Sequence, residues 1–386
     1  MRKILIAFCL LIYSFTLSAQ NNINHTRISL ITCGPGEDLY SLFGHTAIRV
    51  IDSTNHTDSV YNWGGFTFDQ PYFYLKFARG QLLYYSVADD IDSFMQEYIY
   101  EHRSVYEQIL NLDSASKQKI IAAIYHNMQG ANRFYKYDFL LDNCTTRVRN
   151  IIFENNTDAV INEKVVPDKT TARDLIHYYL ERGSEPWTEL GLDMLMGGTI
   201  DKPLSNNEAM FMPEFLMKGI SETKKQNFAF AAPAKVILQG SVPQNNLGKY
   251  IPLIVLTIIS VIVFFISRSR SAGAKKFMSF IDALLLYITG LLGVLLLFMW
   301  FGTDHTVCKN NFNIAWALPF NLPVAFFLIK KPRWLSSYFF IIAVITLIFL
   351  AAWFWLPQQI NIALLPVVIL LLNRYVTLAN NYKRVS

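Results

Sequence analysis

Cysteine is scarce in this chain, which has four cysteines among its 386 residues. Cys9 lies in an N-terminal apolar run that we expect to be removed, so Cys33, Cys144 and Cys308 remain. Three cysteines are too few for a scaffold held together by disulfide bonds, even in an oxidising compartment. The residues that follow the apolar run are instead numerous enough to form a domain with its own apolar core.

Sequence patterns for metal and nucleotide binding are missing as well. No C-x-x-C or H-E-x-x-H spacing occurs, and the turn "GPGED" lacks the lysine and serine of a phosphate-binding loop. The net charge of +5 is not gathered into a basic face interleaved with aromatic residues, as a nucleic-acid reader would show. We therefore predict no metal, no cofactor and no nucleic-acid partner.

The N-terminus has the three parts of a secretory signal peptide. Arg2 and Lys3 precede an apolar run from Ile4 to Leu17, and Leu17-Ser18-Ala19 provides small residues for cleavage. We expect residues 1–19 to be removed and residues 20–249 to form an exported domain.

Long apolar runs fill the rest of the chain, residues 250–386, and runs of about 18 residues or more can cross a bilayer. We expect five spans, at roughly 250–267, 278–301, 312–329, 337–356 and 359–375. Basic residues gather on alternate connections: Arg268, Arg270, Lys275, Lys276, Lys330, Lys331, Arg333, Arg374, Lys383 and Arg384. Because cytoplasmic loops carry the excess of Lys and Arg, the first span runs inward and the C-terminus is cytoplasmic, in agreement with an exported N-terminal domain.

Hydrophobic periodicity predicts both strands and helices in the exported domain. "HTAIRVID" alternates from His45 onward and predicts a strand, and the polar turn "STNHTD" joins it to a second strand near Ser59 to Trp63. Helical spacing follows Asp113 or Ser114, Asp142 or Asn143, and Thr170 or Thr171, all of them suitable N-caps.

Cys144 lies in the first turn of the second of these helices, in "DNCTTRVRNII". The amide groups at a helix N-terminus favour a thiolate and can bind an oxyanion. His45 is the best-placed base, and the preceding Gly44 would allow close approach of another segment. Three alternatives stay open at this point: a nucleophile paired with a histidine, a buried core cysteine, and a Cys33–Cys144 disulfide.

Several long segments resemble one protein family. "TCGPGEDLYSLFGHTAIRV", "YNWGGFTFDQPYFYLKFARGQLLYY", "HRSVYEQILNL" and "YKYDFLLDNCTTRVRNII" look like the periplasmic domain of the Lnb lipoprotein N-acyltransferases, and the apolar tail resembles that family's membrane region. More remotely, histidine before cysteine resembles the circularly permuted papain-like enzymes, which include the lecithin:retinol acyltransferase-like group and permuted NlpC/P60 hydrolases. The resemblance implies an α+β, permuted papain-like exported domain followed by an α-helical membrane domain with five spans.

The resemblance also assigns roles to residues. It implies Cys144 as nucleophile, His45 as general base and Asn62 as the group that orients the imidazole. Substrate contacts are expected from Asp38 and Tyr40, which could equally be a turn cap and a core aromatic residue. The polar neighbours of Cys144 and the loop after the second span are further substrate-binding candidates: Asn143, Thr145, Arg147, Asp304 and His305.

The implied reaction moves an acyl chain from a phospholipid, through a Cys144 thioester, to the N-terminal amine of a lipidated cysteine in a lipoprotein precursor. The implied location is the bacterial inner membrane, with the catalytic domain in the periplasm. Two alternatives are a membrane-tethered cysteine hydrolase of peptidoglycan peptides or lipid esters, and a non-catalytic sensor in which Cys33 and Cys144 are bonded.

Overall fold

The structure is a computed structural model and describes residues 25–38, 40–241 and 248–383. The expected signal peptide, residues 1–19, lies outside the described residues. An α+β domain comes first along the chain, and long apolar helices follow it.

The N-terminal domain is built on a central sheet. The strands of the whole domain are β1 (Thr26–Cys33), β2 (His45–Asp52), β3 (Thr57–Gly65), β4 (Leu83–Asp90), β5 (Val105–Ile109), β6 (Phe134–Lys136), β7 (Ala159–Ile161), β8 (Thr223–Lys225), β9 (Phe228–Ala229) and β10 (Lys235–Leu238). Seven strands pair antiparallel in the order β10-β5-β1-β2-β3-β4-β6, and β7, β8 and β9 form a small second sheet. The predicted hairpin is confirmed as β2 and β3, and β2 is the middle strand.

Eight helices accompany these strands in the described part of the domain. They are α1 (Phe73–Ala78), α2 (Ile91–Tyr100), α3 (Ser114–Met128), α4 (Cys144–Glu154), α5 (Ala172–Arg182), α6 (Pro186–Leu195), α7 (Asn206–Ala209) and α8 (Pro213–Ser221). The three helices predicted from their caps are confirmed: Asp113, Asn143 and Thr171 each accept a backbone N–H bond in the first turn of α3, α4 and α5.

The two faces of the large sheet bury different sets of apolar residues, as strand alternation requires. Ile48 packs in the larger core with Val148 of α4. Its neighbour Ala47 belongs to a smaller core that includes Phe94 and Tyr98 of α2. Helices therefore cover the sheet on both faces, and His45 begins the strand between them.

Four helices of the C-terminal part are long and apolar enough to cross a membrane. The helices here are α9 (Ile251–Arg268), α10 (Ala272–Phe301), α11 (Asn321–Phe327), α12 (Trp334–Ala352) and α13 (Leu365–Lys383). Only α11 is short, and it lies in the expected third span, 312–329. Of the five expected spans, the third is therefore not one long helix in the described residues, because Pro319 and Pro323 each remove a backbone donor that a longer helix would need.

The broken segment nevertheless makes hydrogen bonds with residues before α13, within α13 and near its end. The backbone N–H of Phe312 donates to Gln358 Oε1 at 2.6 Å, before α13 begins, and the hydroxyl of Tyr382 donates to the carbonyl of Leu328 at 3.4 Å, near the end of α13. Asn321 lies between these two contacts, where its amide donates to the Thr289 and Tyr375 hydroxyls.

One basic residue lies elsewhere than predicted. Arg374 was expected in a connection after the last span, but it lies within α13 and forms a buried ion pair with Asp282 of α10, with an Nε to Oδ1 distance of 2.7 Å. A buried guanidinium needs such a partner, because an unpaired charge away from water is very costly.

The N-terminal domain is joined to the apolar helices by a polar junction centred on Asp193 of α6, which is 1% exposed. Its carboxylate accepts hydrogen bonds from Arg173 at 2.6 Å, from His177 at 2.9 Å and from Asn361, which precedes α13, at 2.8 Å. Asn313 donates to the Asp193 carbonyl at 3.1 Å. Asp193 thus ties α5 and α6 to two connections of the helical region.

Replacing Asp193 with alanine should destabilise the protein strongly. The change removes one of the two acidic partners of the buried Arg173, and breaking a buried ion pair typically costs about 3 to 5 kcal/mol. Thermal unfolding of the purified full chain would show a clear fall in the midpoint.

A matched control is Glu214→Ala, which breaks the partly exposed pair between Arg182 and Glu214. Such pairs contribute about 0 to 1 kcal/mol, so its midpoint should stay near that of the unchanged protein. Equal midpoints for the two variants would contradict the central role of Asp193.

Candidate active site

The first turn of α4 is held rigidly by Asn143. Its side-chain oxygen accepts from the Thr146 N–H at 2.8 Å, and the Thr146 hydroxyl accepts from the Asn143 N–H at 2.8 Å, which forms a capping box. The Asn143 amide also donates to the carbonyls of Phe139 and Phe211. Cys144, the first residue of α4, is therefore fixed in place from both sides.

His45 is placed by the glycine before it. Gly44 has φ +76°, and a Cβ atom there would lie 2.6 Å from the carbonyl oxygen of Cys33. Only glycine adopts this backbone conformation readily and also permits this approach. Cys33 is the residue that pairs with His45 across β1 and β2, so the turn directs the chain straight into the central strand.

The side chain of Asn62 on β3 lies beside the imidazole of His45, near enough to act on its pKa as a hydrogen-bond partner. The Asn62 amide nitrogen donates to Asp89 on β4 at 3.1 Å, which leaves its oxygen free to accept from the ring N–H. Three neighbouring strands thus supply a polar chain of histidine, asparagine and aspartate. Asn62 thus lies on the strand next to that of His45, and its role as the orienting group stays a prediction.

A contact between two threonines brings α4 and β2 together. The hydroxyls of Thr46 and Thr145, each next in sequence to a candidate catalytic residue, are 3.0 Å apart and buried. The backbone N–H of Thr46, in the peptide that joins it to His45, lies near enough to the sulfur of Cys144 to lower the pKa of the thiol. The thiol therefore lies beside the strand residue that follows His45.

Cys144, His45 and Asn62 line one cleft of about 870 Å³. Its walls also carry aromatic and apolar side chains, among them Phe66, Phe77, Tyr84, Phe139, Phe211 and Met212. This volume is in the range of small-molecule sites, and the predominance of apolar walls around a few polar groups suits a ligand with a hydrocarbon part.

Burial controls the protonation of both groups. Burial, followed by the charge of Arg103, lowers the pKa of His45 to about 4, although the hydrogen bond to Asn62 acts in the opposite direction. Burial also raises the pKa of the Cys144 thiol above its ordinary value, and this outweighs the hydrogen bonds from Thr145 and nearby backbone N–H groups. The expectation that the helix N-terminus makes this thiol acidic is therefore wrong, and both groups are neutral at pH 7.

Asp38 and Tyr40 lie differently from each other. Asp38 begins a turn, where its carbonyl accepts from the N–H and hydroxyl of Ser41, and it does not line the cleft. Tyr40 does line the cleft; it is exposed and donates from its hydroxyl to Glu101 at 3.1 Å. Asp38 is thus a turn residue, as the alternative to a substrate contact predicted. Tyr40 is not a core aromatic residue, which was the alternative for that position.

Two of the polar neighbours of Cys144 are occupied by internal contacts. Thr145 lines the cleft, but it is buried and its hydroxyl is bonded to Thr46. Arg147 points elsewhere: it pairs with Asp142 at 2.6 Å, and its guanidinium lies 3.6 Å above the ring centre of Tyr135. Together with the cap residue Asn143, they position the first turn of α4.

Asp304 and His305 follow α10 and contact the N-terminal domain outside the cleft. The Asp304 carboxylate pairs with Lys136 at 3.2 Å, and its N–H donates to the carbonyl of Arg79 at 2.8 Å. A ring nitrogen of His305 lies 3.2 Å from the carbonyl oxygen of Phe77. Both residues therefore belong to the contact between the two parts of the chain.

Sequence reasoning missed Arg103 and Asp89. Arg103 is buried beside the cleft, where Nε donates to the Gly34 carbonyl at 2.9 Å and Nη1 donates to Glu101 at 2.8 Å. It lies in "HRSVYEQILNL", one of the segments that resemble the family, but nothing in that segment alone indicates that it faces a histidine. Asp89 shows its role only once β3 and β4 are paired.

The disulfide alternative is wrong, because all three cysteines in the described ranges are free. Cys33 is buried in β1, and burial raises the pKa of its thiol to about 12.

A second group of titratable residues lies at the Asp193 junction. The ligand atoms of His177, Glu189 and Asp193 are within 4.8 Å of one another, close enough to hold a metal ion. However, the Asp193 carboxylate already accepts from the guanidinium of Arg173. This buried cation neutralises the negative charge that would otherwise bind a metal ion. We therefore assign this group to the junction.

The fold and the cleft define a class of protein: a membrane protein whose extramembrane α+β domain carries a cysteine and a histidine in one apolar-walled cleft. Residues 14–179 match the family model described as the Lnb N-terminal periplasmic domain, and residues 244–384 match the Lnb transmembrane domain. The chain belongs to the Lnb family. Comparison with curated proteins and with solved structures gave no match.

Gly44→Ala should destabilise the periplasmic domain, because the new methyl group meets the Cys33 carbonyl and the left-handed conformation costs about 1 to 2 kcal/mol for a residue with a Cβ atom. Gly191→Ala is the matched control: it lies within α6, and nothing lies within 4 Å of its added carbon. In a helix this change stabilises by about 0.5 to 1 kcal/mol. Thermal unfolding of both variants checks the prediction, and an unchanged midpoint for Gly44→Ala would contradict it.

Alkylation of Cys144 by iodoacetamide should accelerate steadily with pH. Only the thiolate reacts, so with a raised pKa the rate should increase about tenfold per pH unit between pH 6 and 8.5. Mass spectrometry of the Cys144 peptide measures the rate, and Cys33 serves as a buried internal control. A plateau below pH 7 would show instead that the thiol is already ionised in the unliganded protein.

Proposed function

We propose that this protein is a lipoprotein N-acyltransferase that takes an acyl chain from a phospholipid and places it on the N-terminal amine of a lipidated cysteine. The observation that carries the proposal is the position of Cys144: a thiol at a capped helix start, against the strand of a neutral histidine, in an apolar-walled cleft. A phospholipid ester and a lipidated amine both need such walls and a nearby membrane.

The first half-reaction acylates the enzyme. As the Cys144 sulfur attacks the ester carbonyl carbon, the thiol proton passes to the neutral imidazole of His45. The carbon–oxygen bond then breaks, the imidazolium returns the proton to the departing lysophospholipid, and a thioester remains. A histidine with a pKa of about 4 can act in this way, because it is unprotonated and ready to accept at neutral pH.

The second half-reaction releases the chain. The free amine of the acceptor attacks the thioester carbonyl and loses a proton to His45, and the sulfur leaves and regains a proton as the amide forms. The backbone N–H groups of Thr46, Thr145 and Cys144 itself lower the pKa of the thiol, and in the proposed reaction the same groups would stabilise the carbonyl oxygen of either intermediate. Asn62, supported by Asp89, keeps the ring oriented through both steps.

The fold and location belong to the same proposal. We propose a permuted papain-like periplasmic domain, with support from the antiparallel sheet that carries His45 on its middle strand and the helix that begins at Cys144. The chain would cross the bacterial inner membrane five times, once through the broken segment 312–329, and end in the cytoplasm. Support comes from the contacts of that segment near both ends of α13 and from the basic connections.

The decisive experiment expresses the chain in cells whose own lipoprotein N-acylation is switched off. Mass spectrometry of lipoprotein N-termini should find the N-acylated form with the unchanged chain. Cys144→Ala and His45→Ala should each reduce it by at least about a thousandfold, as expected for residues that act as one catalytic unit. Protein level and membrane insertion should not change.

Lys164→Ala, which alters only an exposed ion pair with Asp168, serves as the control and should retain full activity. A well-expressed unchanged chain that yields no N-acylated lipoprotein would exclude the transferase. If purified protein in phospholipid nanodiscs instead releases free fatty acid at an equal rate with and without acceptor, the cysteine hydrolase is the better description.

A further inference from the structure

The segment around α1 exposes an unusual number of aromatic side chains. We call Phe66, Phe68, Tyr72, Phe73, Tyr74, Leu75 and Phe77 the aromatic ridge. None of the six residues of α1 is buried, and Tyr72 and Tyr74 are 79% and 81% exposed. A contiguous apolar patch of this kind marks an interaction surface on a soluble domain.

The ridge is organised by contacts among its own rings. Phe68 lies 4.8 Å from Phe73 and 5.3 Å from Phe66 between ring centres, and Phe73 stacks on Phe77 at 6.3 Å. These contacts hold the rings in a fixed arrangement, while the outer side chains Tyr74 and Leu75 remain free to contact another surface. The ridge therefore needs little further ordering when it binds a partner.

The ridge lies next to the membrane region. The carbonyls of Phe77 and Arg79 contact His305 and Asp304, which come only a few residues after α10 ends at Phe301. Since each residue spans at most about 3.6 Å, the ridge is close to the outer end of a membrane helix. Its apolar surface is thus continuous with the part of the chain that contacts lipid.

Charge near the ridge favours phospholipid. Lys76 lies in the last turn of α1, Arg79 follows that helix, and Lys136 pairs with Asp304 across the junction. Aromatic residues flanked by basic ones suit the level of the headgroups, where rings reach the acyl boundary and cations meet phosphates.

Phe66 and Phe77 also line the cleft that holds Cys144. We propose that the aromatic ridge inserts into the outer leaflet of the membrane, and that its Phe66–Phe77 side is the entrance through which the acyl chain of a glycerophospholipid reaches the thiol. The insertion stands on its own observations, whereas the entrance rests on the proposed function.

Insertion can be measured without any catalysis. In the full chain with Cys144→Ser, Leu75→Cys is labelled with an environment-sensitive fluorophore, and the protein is placed in phosphatidylcholine nanodiscs. Phosphatidylcholine with a nitroxide near the top of one acyl chain should then quench most of the emission. Cys33 and Cys308 are buried and should remain unlabelled.

Phe228→Cys in the same background is the matched control. Phe228 is also an exposed apolar residue, but its strand lies at the far end of α4 from the thiol, where Phe153 stacks on Phe230. Its label should be quenched little. Equal quenching at positions 75 and 228, whether weak or strong, would overturn insertion of the ridge.

The entrance is tested by comparing two acyl donors. The double variant Tyr74→Ser, Leu75→Ser should acylate Cys144 about tenfold more slowly from bilayer phospholipid, relative to its rate with a water-soluble short-chain ester, because it loses apolar contact with the leaflet. Phe228→Ser should leave that ratio unchanged. An unchanged ratio in the double variant would contradict the proposal that the ridge is the entrance for the acyl chain.

Failure of the proposed function gives a different result. If the unchanged chain forms a thioester with neither donor, the acyltransferase proposal and the entrance fall together, while strong quenching at position 75 alone would still establish insertion.

Discussion

The contact between Thr46 and Thr145 is the point on which the site depends. It joins the middle strand of the sheet to the first turn of α4, and on either side of it the chain carries His45 and Cys144. Neither residue could be placed by its own element alone, because the strand and the helix are almost a hundred residues apart in sequence. The cap at Asn143 fixes the helix side of this threonine contact, and Gly44 fixes the strand side.

Burial determines the protonation state of Cys144 and His45. A thiol and an imidazole that are both removed from water lose the stabilisation of their charged forms, so the neutral pair is favoured over the ion pair. Arg103 adds to this by opposing a second positive charge near His45. Such a pair is protected from adventitious oxidation, which needs a thiolate. In the proposed reaction, the sulfur becomes reactive when a substrate carbonyl is present to accept its electrons.

Sequence reasoning succeeded where the determining interactions are local. The β2–β3 hairpin and the caps at Asp113, Asn143 and Thr171 depend on residues a few positions apart, and all are confirmed. Apolar runs likewise predicted four of the long helices.

What the sequence could not supply is set by contacts between distant segments. The pKa of Cys144 depends on burial by walls from several elements, and the position of Arg103 beside His45 depends on sheet order. The run 312–329 is apolar enough for a span, but its prolines and the partners of Asn321 on α10 and α13 give it another form. Arg374 looked like a connecting residue because its partner, Asp282, lies 92 positions away.

The polar junction at Asp193 also fixes the position of the periplasmic domain relative to the apolar helices. Side-chain hydrogen bonds tie α6 to the connections before α11 and α13, in addition to the covalent chain. The periplasmic domain is therefore held in a fixed position relative to the apolar helices. The sulfur of Cys144, the proposed nucleophile, is consequently held at one level relative to the apolar helices. In the proposed reaction, a lipid whose ester bond lies deeper would have to rise out of the leaflet to meet the sulfur, and the energy of that extraction would help to distinguish one donor from another.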